Sequence, residues 1–553
     1  MKETIIILGA GVMQGPAIEI AKESGFFTVV LDGSSSAPCI GMADRFEQID
    51  LKDKEGIETF ARSIQGKTSR LGIMTAGTDF SASVAWTAEK LGLPGIPYQA
   101  ALNASDKAKM RECFKKASLP SPEFFTIAAA DIQPCIKSFT PLAEAHYRFP
   151  LVIKPVDNMG SRGCRRVDSI DDFEKAAKEA IGFSRSGRAI AEKYMDGPEF
   201  SVDAIVYHGE ITICGLADRH IFFPPFFIEM GHTMPTVIEE EKQFSLLETF
   251  RAGVRALGLA GKDNIGAAKG DIKLTSQGPM IGEIAARLSG GYMSGWTYPY
   301  SSGALPVKAA ILMAMGYRPE GLIPQKNWTC AERAFISIPG TVKQISGIGD
   351  TGSIADNNIN NFFLRIKEGD KVSFPENNVS KCGNIIASAP EIETAIAAAE
   401  KAARSILIRL DPKGSETQEF LFKETCTEHP AEVSGLQHVE DEKYKFPPDA
   451  FRLTNDLRNA LNLLPEYINT AYQRHDSWLI IPFNAFQSSG LKDYMGRTVD
   501  EALDAVRQLT GFTLPIACEN AENKVMLGRS FWAALIRGSY QGAVCYIDSL
   551  GEK

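Results

Sequence analysis

LVIKPVDNMGSRG (151–163), AEKYMDGPEFSVDAIVYHGEI (191–211) and DIKLTSQGPMIGEIAARLSGG (271–291) are the stretches whose joint reading decides the fold. The first is a strand whose lysine, Lys154, leads into a loop holding Gly160, Ser161 and Gly163. Such a loop is flexible and rich in backbone N–H donors, and a lysine at its edge is a compact positive charge; both suit phosphate. The second stretch leaves a strand through Glu192, Lys193, Tyr194 and Met195, turns at Gly197-Pro198, and re-enters a strand with Glu199. It presents a length of backbone and then a carboxylate. The third reads as a hairpin about Ser276-Gln277-Gly278-Pro279, with Asp271 and Glu283 nearly opposite. Cross-strand neighbours lie about 5 Å apart, which suits oxygen ligands sharing a Mg2+. On the second arm the period of two puts Glu283, Ala285 and Arg287 on one face. From there Arg287 can stabilise charge on a transferred phosphoryl group.

Upstream, TIIIL (4–8), TVVLD (28–32) and LGIMTAG (71–77) are apolar runs of the kind found in buried parallel strands. They alternate with helices opening at Pro16, near 54–64 and at 81–92, a pattern that predicts a doubly wound sheet up to residue 103. The turn Gly9-x-Gly11-x-x-x-Gly15, with Asp32 closing the next strand, resembles a dinucleotide fingerprint, but its last glycine is one residue late. NAD(P) binding through Gly9–Gly15 therefore stands as an alternative to a structural or substrate-facing turn. SDKAKMRECFKKAS (105–118) predicts a helix with Ser105 as N-cap and Lys107 in its first turn, a second cation for the phosphates. Residues 330–412 carry short strands and then a helix from Ala389, fronted by the capping box Ser388-x-x-Glu391. Residues 413–448 are polar and acidic and read as a linker. From 449 an α/β pattern resumes, with Trp478, Trp532 and FWAALI (531–536) as core, or alternatively as a dimer surface or a cap over the site.

The 553 residues include 59 basic and 68 acidic side chains, a net charge of −9, which does not favour a nucleic-acid partner or an anionic membrane. No apolar run reaches the length of about 18 residues that a membrane helix needs. MKETIIILGAG reads as strand and turn rather than a signal peptide, so a cytoplasmic location is expected. The ten cysteines form no C-x-x-C pair and the seven histidines no H-E-x-x-H, which argues against a disulfide framework and a zinc site.

The ordered series of helix lysine, strand-end lysine, glycine loop, backbone turn and acidic hairpin resembles the ATP-grasp superfamily of carboxylate–amine ligases, over about residues 1–412. EKYMDGPEFSVD is similar to the nucleotide hinge of D-alanine–D-alanine ligases. ILGAG, TAGTD and LGLPG resemble the preceding domain of biotin-carboxylase-like members, and KEGDKVSFPENN with CGNIIAS resembles their C-terminal subdomain. The resemblance implies an α/β ATP-grasp fold behind a doubly wound domain at 1–103. Subdomains follow at 104–190 (glycine loop), 191–329 (hinge and hairpin) and 330–412, then the linker 413–448 and a small α/β domain at 449–553.

It implies that Lys107, Lys154, Gly160, Ser161 and Gly163 hold the phosphates of ATP. Glu192 would accept from the adenine amine, with the backbone of Lys193, Tyr194 and Met195 at the adenine edge and Glu199 on the ribose. Asp271 and Glu283 would hold one or two Mg2+, with Mn2+ as a substitute, and Arg287 would contact the acyl-phosphate oxygens. Lys154 and Arg287 are the expected catalytic residues. The implied reaction is ADP-forming: a carboxylate attacks the γ-phosphate, and an amine then displaces phosphate from the acyl carbon. The expected partners are a small-molecule carboxylate and amine, one of them an amino acid as in L-amino acid ligases, with a homodimer as an allowed assembly. The loop DRHIFFPPFFIEMGHTMP (218–235), with Glu229 and His232, and then Arg287, Ser289 and Gly290, is the candidate substrate wall. Two positions depart from the family pattern: Asp271 is one methylene shorter than the usual glutamate, and Ala285 replaces the asparagine of E-x-N. A carboxyphosphate-using carboxylase and a non-catalytic nucleotide-binding protein are the remaining alternatives.

Overall fold

A computed structural model describes residues 1–138, 149–223, 225–348, 356–422, 534, 538 and 541–549. The apolar runs near the N-terminus become a parallel sheet of β1 (Glu3–Leu8), β2 (Phe27–Asp32), β3 (Arg45–Gln48) and β4 (Arg70–Thr75), in the order β3-β2-β1-β4. Ile5 to Leu8 are fully buried, as a strand covered on both faces requires. The intervening helices are α1 (Gly15–Glu23), α2 (Lys54–Gln65) and α3 (Ser81–Leu91).

Next come α4 (Tyr98–Ser105) and α5 (Lys107–Lys116). The predicted cap moves by one residue here. Ser105 closes α4, while Asp106, in extended backbone, accepts from the amides of Ala108 and Lys109. An aspartate at that point satisfies two orphan donors, which Ser105 inside a helix cannot do. β5 (Phe124–Ala128), β6 (Leu151–Pro155), β7 (Arg165–Val167) and β8 (Arg188–Lys193) form a sheet ordered β5-β8-β6-β7, backed by the helix Ile170–Phe183. The strands β9 (Glu199–Tyr207), β10 (Glu210–Phe222), β11 (Ile228–Met234), β12 (Ile265–Thr275), β13 (Gly278–Ala285) and β14 (Thr329–Phe335) follow one another in the order β13-β12-β9-β10-β11-β14. The helix Glu240–Ala256 seals one face, placing Leu246, Phe250 and Val254 among Phe200, Val202, Ile272, Ile281 and Ile284.

The described residues form two compact units. The first takes Met1–His220, Gly231–Glu332 and Ser388–Ala395; the second takes Ile221–Met230, Arg333–Ala387 and the described residues from Ile396 onward. In the second, β15 (Gly340–Ser346), β16 (Ile359–Leu364), β17 (Lys371–Val372), β18 (Gly383–Ala389) and β19 (Leu407–Leu410) make two pairings: β15 lies between β17 and β19, and β16 is antiparallel to β18. The capping box predicted at Ser388 is absent. Ser388 and Ala389 finish the buried strand β18, and the helix starts only at Ile392. Leu421, from a helix Ser415–Phe422, packs with Ala534 and Cys545 in the core of this unit. The Gln541 side chain donates to Ser337 Oγ at 2.7 Å and accepts from the Ile338 amide at 3.0 Å. Otherwise the predicted linker from 423 on and the domain at 449–553, with Trp478 and Trp532, lie outside the described residues. The described cysteines, Cys39 through Cys382 and Cys545, are free thiols; Cys426 and Cys518 lie outside. Among the described residues no helix is long and apolar enough to cross a membrane.

Candidate active site

The site lies in the first unit, where β6, β8 and the β12–β13 hairpin meet the N-terminal end of α5. Glu192 sits opposite Val152 in the β6–β8 register and is 2% exposed. Its two oxygens are both engaged: Lys154 Nζ at 2.7 Å on Oε2 and Arg111 Nε at 2.8 Å on Oε1. Burial pushes this carboxyl up, but the Arg111 and Lys154 cations outweigh it and hold it at about 2. Glu192, the residue expected to accept from the adenine amine, holds two buried cations here. Arg111 Nη2 also donates to the Gly282 carbonyl at 2.6 Å, tying α5 to the hairpin.

Lys107 is 6% exposed. It donates to the Asn158 carbonyl of the glycine loop at 2.9 Å and lies 3.4 Å from Glu283 Oε1. Burial works against its charge, yet Glu283 and, more weakly, Asp79 and Glu192 keep its pKa above the ordinary lysine value. Glu283 is the mirror case. Burial would raise it, but Lys107, Lys154 and Lys269 bring it below the usual carboxylate range. The lysines and the metal-hairpin glutamate predicted from sequence are thus gathered into one ionised cluster.

In the loop above them, Gly160, Ser161 and Gly163 adopt φ of 69°, 59° and 65°. A Cβ on Gly163 would lie 2.8 Å from Phe183 Cδ2. In the hinge, the Lys193 amide donates to Glu123 O at 2.9 Å and the Tyr194 amide to Pro150 O at 3.0 Å. The Met195 peptide is the next along, and its carbonyl accepts from Lys273 Nζ at 3.2 Å, which also reaches Gly197 O at 3.3 Å. The Tyr194 ring has two cations near it, Arg166 at 4.7 Å and Lys273 at 5.4 Å.

Asp271 and Glu283 are register partners in the hairpin, with a bulge immediately after Asp271. Asp271 already has partners of its own: Arg219 Nη1 at 2.9 Å, Ser201 Oγ at 2.9 Å, and Lys269. Arg219 also pairs with Glu199, the predicted ribose ligand. Among the described residues no group of three or more His, Cys, Asp or Glu gathers as a metal site, so no further side chain of these types fills the place left by Ala285. Arg287 is about nine-tenths buried, at 10% exposure, with Nε 3.7 Å from Asp79 Oδ1. Its Nη1 donates to Leu288 O at 3.1 Å, and its Nε has no hydrogen-bond partner among the described residues. A parallel bridge between Ala76 and Leu288 brings the end of β4, and with it Asp79, to this arginine.

The predicted substrate wall is divided. His232 Nδ1 lies 2.9 Å from Glu332 Oε2, both side chains 1% exposed, within the first unit. Glu229 belongs to the second unit, where its amide donates to Asn378 Oδ1 at 2.8 Å and its carbonyl accepts from Lys381 at 2.6 Å. Ser289, also placed in that wall, donates its amide to Asp203 Oδ1 at 2.9 Å and its hydroxyl to Oδ2. Gly290 packs on Gly77, where a Cβ would lie 3.2 Å from the Gly77 carbonyl. The dinucleotide reading of Gly9–Gly15 also fails on geometry. The buried Gln14 side chain fills the turn, accepting from the Gly11 amide at 3.0 Å, and Asp32 is occupied by the amides of Ala10 and Ser34. The donors a pyrophosphate needs and the carboxylate a ribose needs are used by the protein itself.

Sequence reading missed Arg111, Arg219, Lys273 and Asp79. Arg111 had a signal, since it stands four residues after Lys107 on one helix face. Lys273 and Arg219 reach their partners through sheet register, Lys273 opposite Glu199 and Arg219 opposite Glu199 on the other side. No local pattern carries that.

Residues 147–294 match the model of the ATP-grasp domain. Residues 334–411 match that of L-amino acid ligase C-terminal domain 2. The chain thus carries an ATP-grasp domain followed by an L-amino acid ligase C-terminal domain. Carnosine synthase 1 of Gallus gallus is 23% identical over 336 residues, 58% of this chain but only 36% of that protein, so the chain spans about a third of this relative's length. The solved L-amino acid ligase of Bacillus licheniformis shares the fold with a TM-score of 0.61 at 21% identity, covering 74% of this chain and 99% of that one. The Campylobacter jejuni biotin carboxylase, solved as an ATP complex, does so at 0.55 and 19% identity, covering 74% and 92%. The α/β ATP-grasp fold of biotin-carboxylase type expected from the sequence is the fold found.

Proposed function

We propose that this chain is an ADP-forming carboxylate–amine ligase that joins an amino acid to a second small molecule through an acyl phosphate. The observation that carries this is the buried, ionised cluster of Lys107, Lys154, Arg111, Glu192 and Glu283 beneath a glycine loop, in a chain that continues into an L-amino acid ligase C-terminal domain.

Lys107 and Lys154 neutralise the phosphates, and Gly160, Ser161 and Gly163 lend backbone N–H groups and cover them. Glu192 aims Lys154, and Arg111 fixes Glu192. Lys273 sets the hinge backbone at Met195 and Gly197 for the adenine edge. In this structure Lys107 and Glu283 compensate each other, so each stays ionised before phosphate and a divalent cation arrive. The donor set fits Mg2+: Glu283 and Asp271, two carboxylates on paired strands, would hold it. A bound ion would supply charge neutralisation between the β- and γ-phosphates. Both carboxylates are already charge-balanced, Asp271 by Arg219 and Lys269 and Glu283 by Lys107, so neither is left as an uncompensated buried anion. Arg287 offers its Nε to the developing acyl phosphate. Water is kept out by the loop, which favours attack by the amine over hydrolysis.

The test is ADP release from ATP and Mg2+ with single and paired amino acids, with bicarbonate as a parallel arm. The proposal expects release that needs an amino acid and a ligated product by mass spectrometry. Release driven by bicarbonate alone would instead make the chain a carboxylase-type enzyme. Nucleotide binding with no turnover across the panel would make it a binding protein.

A further inference from the structure

Asp79 stands apart from the other carboxylates of the site. Those have a cation close at hand: Glu192 has Lys154 at 2.7 Å, Asp271 has Arg219 at 2.9 Å, and Glu283 has Lys107 at 3.4 Å. Asp79 has Arg287 Nε at 3.7 Å, and its side chain is 9% exposed. That distance is beyond hydrogen-bond reach, and no other side chain or amide among the described residues donates to this carboxylate. A carboxylate so buried and without a donor costs free energy until a ligand supplies one. Its position is nevertheless fixed. The turn that carries it, between β4 and α3, is held on the chain that follows β13. Ala76 bridges to Leu288, the Gly77 amide donates to Leu288 O at 3.2 Å, and Gly77 packs against Gly290. Its charge is felt at Lys107 as well, which puts it beside the phosphate lysine.

We infer that Asp79 binds the α-ammonium of the amino acid whose carboxylate is activated, and so makes the site select an amino acid over a plain carboxylic acid. The inference rests on the ligase reading above. An α-amino acid carries opposite charges, with its carboxyl carbon and its nitrogen about 2.5 Å apart. Asp79 and Arg287 are opposite charges on the same scale, held 3.7 Å apart. A zwitterion set against them meets an opposite charge at each end. The ammonium brings three donors, and Asp79 is the carboxylate that lacks one. Glu192 and Glu283 are taken by Lys154 and Lys107, so the anion left over for a substrate cation is Asp79. A plain carboxylic acid would bring a second carboxylate beside Asp79 and leave it without a donor, which is discrimination by repulsion as well as by loss of contact.

The experiment uses the whole protein with ATP, Mg2+ and hydroxylamine, which traps an acyl phosphate as a hydroxamate and releases phosphate, whatever the natural amine partner. Alanine, leucine and phenylalanine are each paired with the acid that lacks the amino group: propionate, 4-methylpentanoate and 3-phenylpropionate. Wild type should favour the accepted amino acids about a hundredfold in kcat/KM over their partners, the scale of a hydrogen bond to a charged group. Asp79→Asn should lower kcat/KM for those amino acids about a hundredfold and change their partners little, so that the preference collapses. Asp79→Glu, which keeps the charge, should retain part of it. The KM for ATP should stay within about threefold in both. An Asp79→Asn protein that loses activity toward both members of a pair alike would overturn the inference, because a purely structural carboxylate acts that way, and would leave the ligase reading standing. Wild type that activates the plain acids as well as the amino acids would overturn it without any variant. No hydroxamate from wild type with any of the six acids would sink the ligase reading. Calorimetry then decides for Asp79: alanine or leucine that binds wild type but not Asp79→Asn supports the assignment, and any other pattern refutes it.

Discussion

Replacing Arg111 by methionine keeps the length and much of the packing of the side chain but removes its charge. Glu192 would then be left with Lys154 alone, and the Gly282 carbonyl would lose its donor. In the intact protein Glu192 falls from its ordinary 4.5 to about 2. At roughly 1.4 kcal/mol per unit, that is about 3 kcal/mol of stability, the net of what the two cations give and what burial takes away. Arg111 is the larger contributor, and its bond to Gly282 is a charge-assisted one worth about 2 kcal/mol. Removing the burial cost of the guanidinium offsets part of this, so the expected net loss is about 3 kcal/mol at pH 7, at the low end for breaking a buried pair. The pH dependence follows from the direction of the shift. A carboxyl lowered in the folded state adds stability that is fully present above its unfolded value of 4.5 and is lost as pH falls toward about 2. In Arg111→Met the folded pKa rises, so the gap between the two proteins should be widest near neutrality and narrow below pH 4.5. Urea unfolding at pH 7 and pH 3.5, read by hydrogen exchange in peptides covering 107–116 and 188–193, measures both. A loss under about 1 kcal/mol, or one that does not shrink in acid, would refute the assignment of Glu192 as the anchor.

Lys154→Ala should lower ADP release at least about a hundredfold, the scale on which removing one preorganised charge acts; release at the wild-type rate would remove Lys154 from the phosphate site. Gly163→Val combines a φ of 65° with a contact 2.8 Å from Phe183, so it should raise the KM for ATP while leaving the far-ultraviolet circular dichroism unchanged. Lys273→Met should weaken ATP binding by calorimetry with little change in the side-chain preference of the amino acid, because Lys273 holds only the hinge. Cys164, partly exposed but with its thiol pushed up to about 11, should react slowly with iodoacetamide at pH 7.5 and label faster as pH rises toward that value; rapid labelling at neutral pH would contradict the raised thiol.

Much of the fold was legible because it rests on local patterns. TIIIL and TVVLD are continuous apolar runs, and only strands covered on both faces tolerate them. The hairpin at 271–286 was legible in outline, since one short turn brings Asp271 and Glu283 nearly opposite; the bulge after Asp271, which makes them register partners, was not. The errors lie where two nearby residues could serve the same end. Ser105 and Asp106 are both good caps, and backbone conformation chose Asp106. Ser388 looked like a cap, but burial of GNIIASA kept it in a strand.

By itself the sequence determined the element order, the strand-end lysine, the glycine loop and the opposed carboxylates, because each depends on residues close in the chain. Only the tertiary structure decided what those groups touch. Arg111 meets Glu192 across 81 positions, and Arg219 meets Asp271 through the sheet. It also decided that Gln14 closes the glycine turn, and that Arg287 is buried 3.7 Å from Asp79. The physical reason is range. Periodicity and turn chemistry act over a few residues, whereas the charge and burial of a buried ionisable group depend on neighbours that only folding brings within a few ångströms.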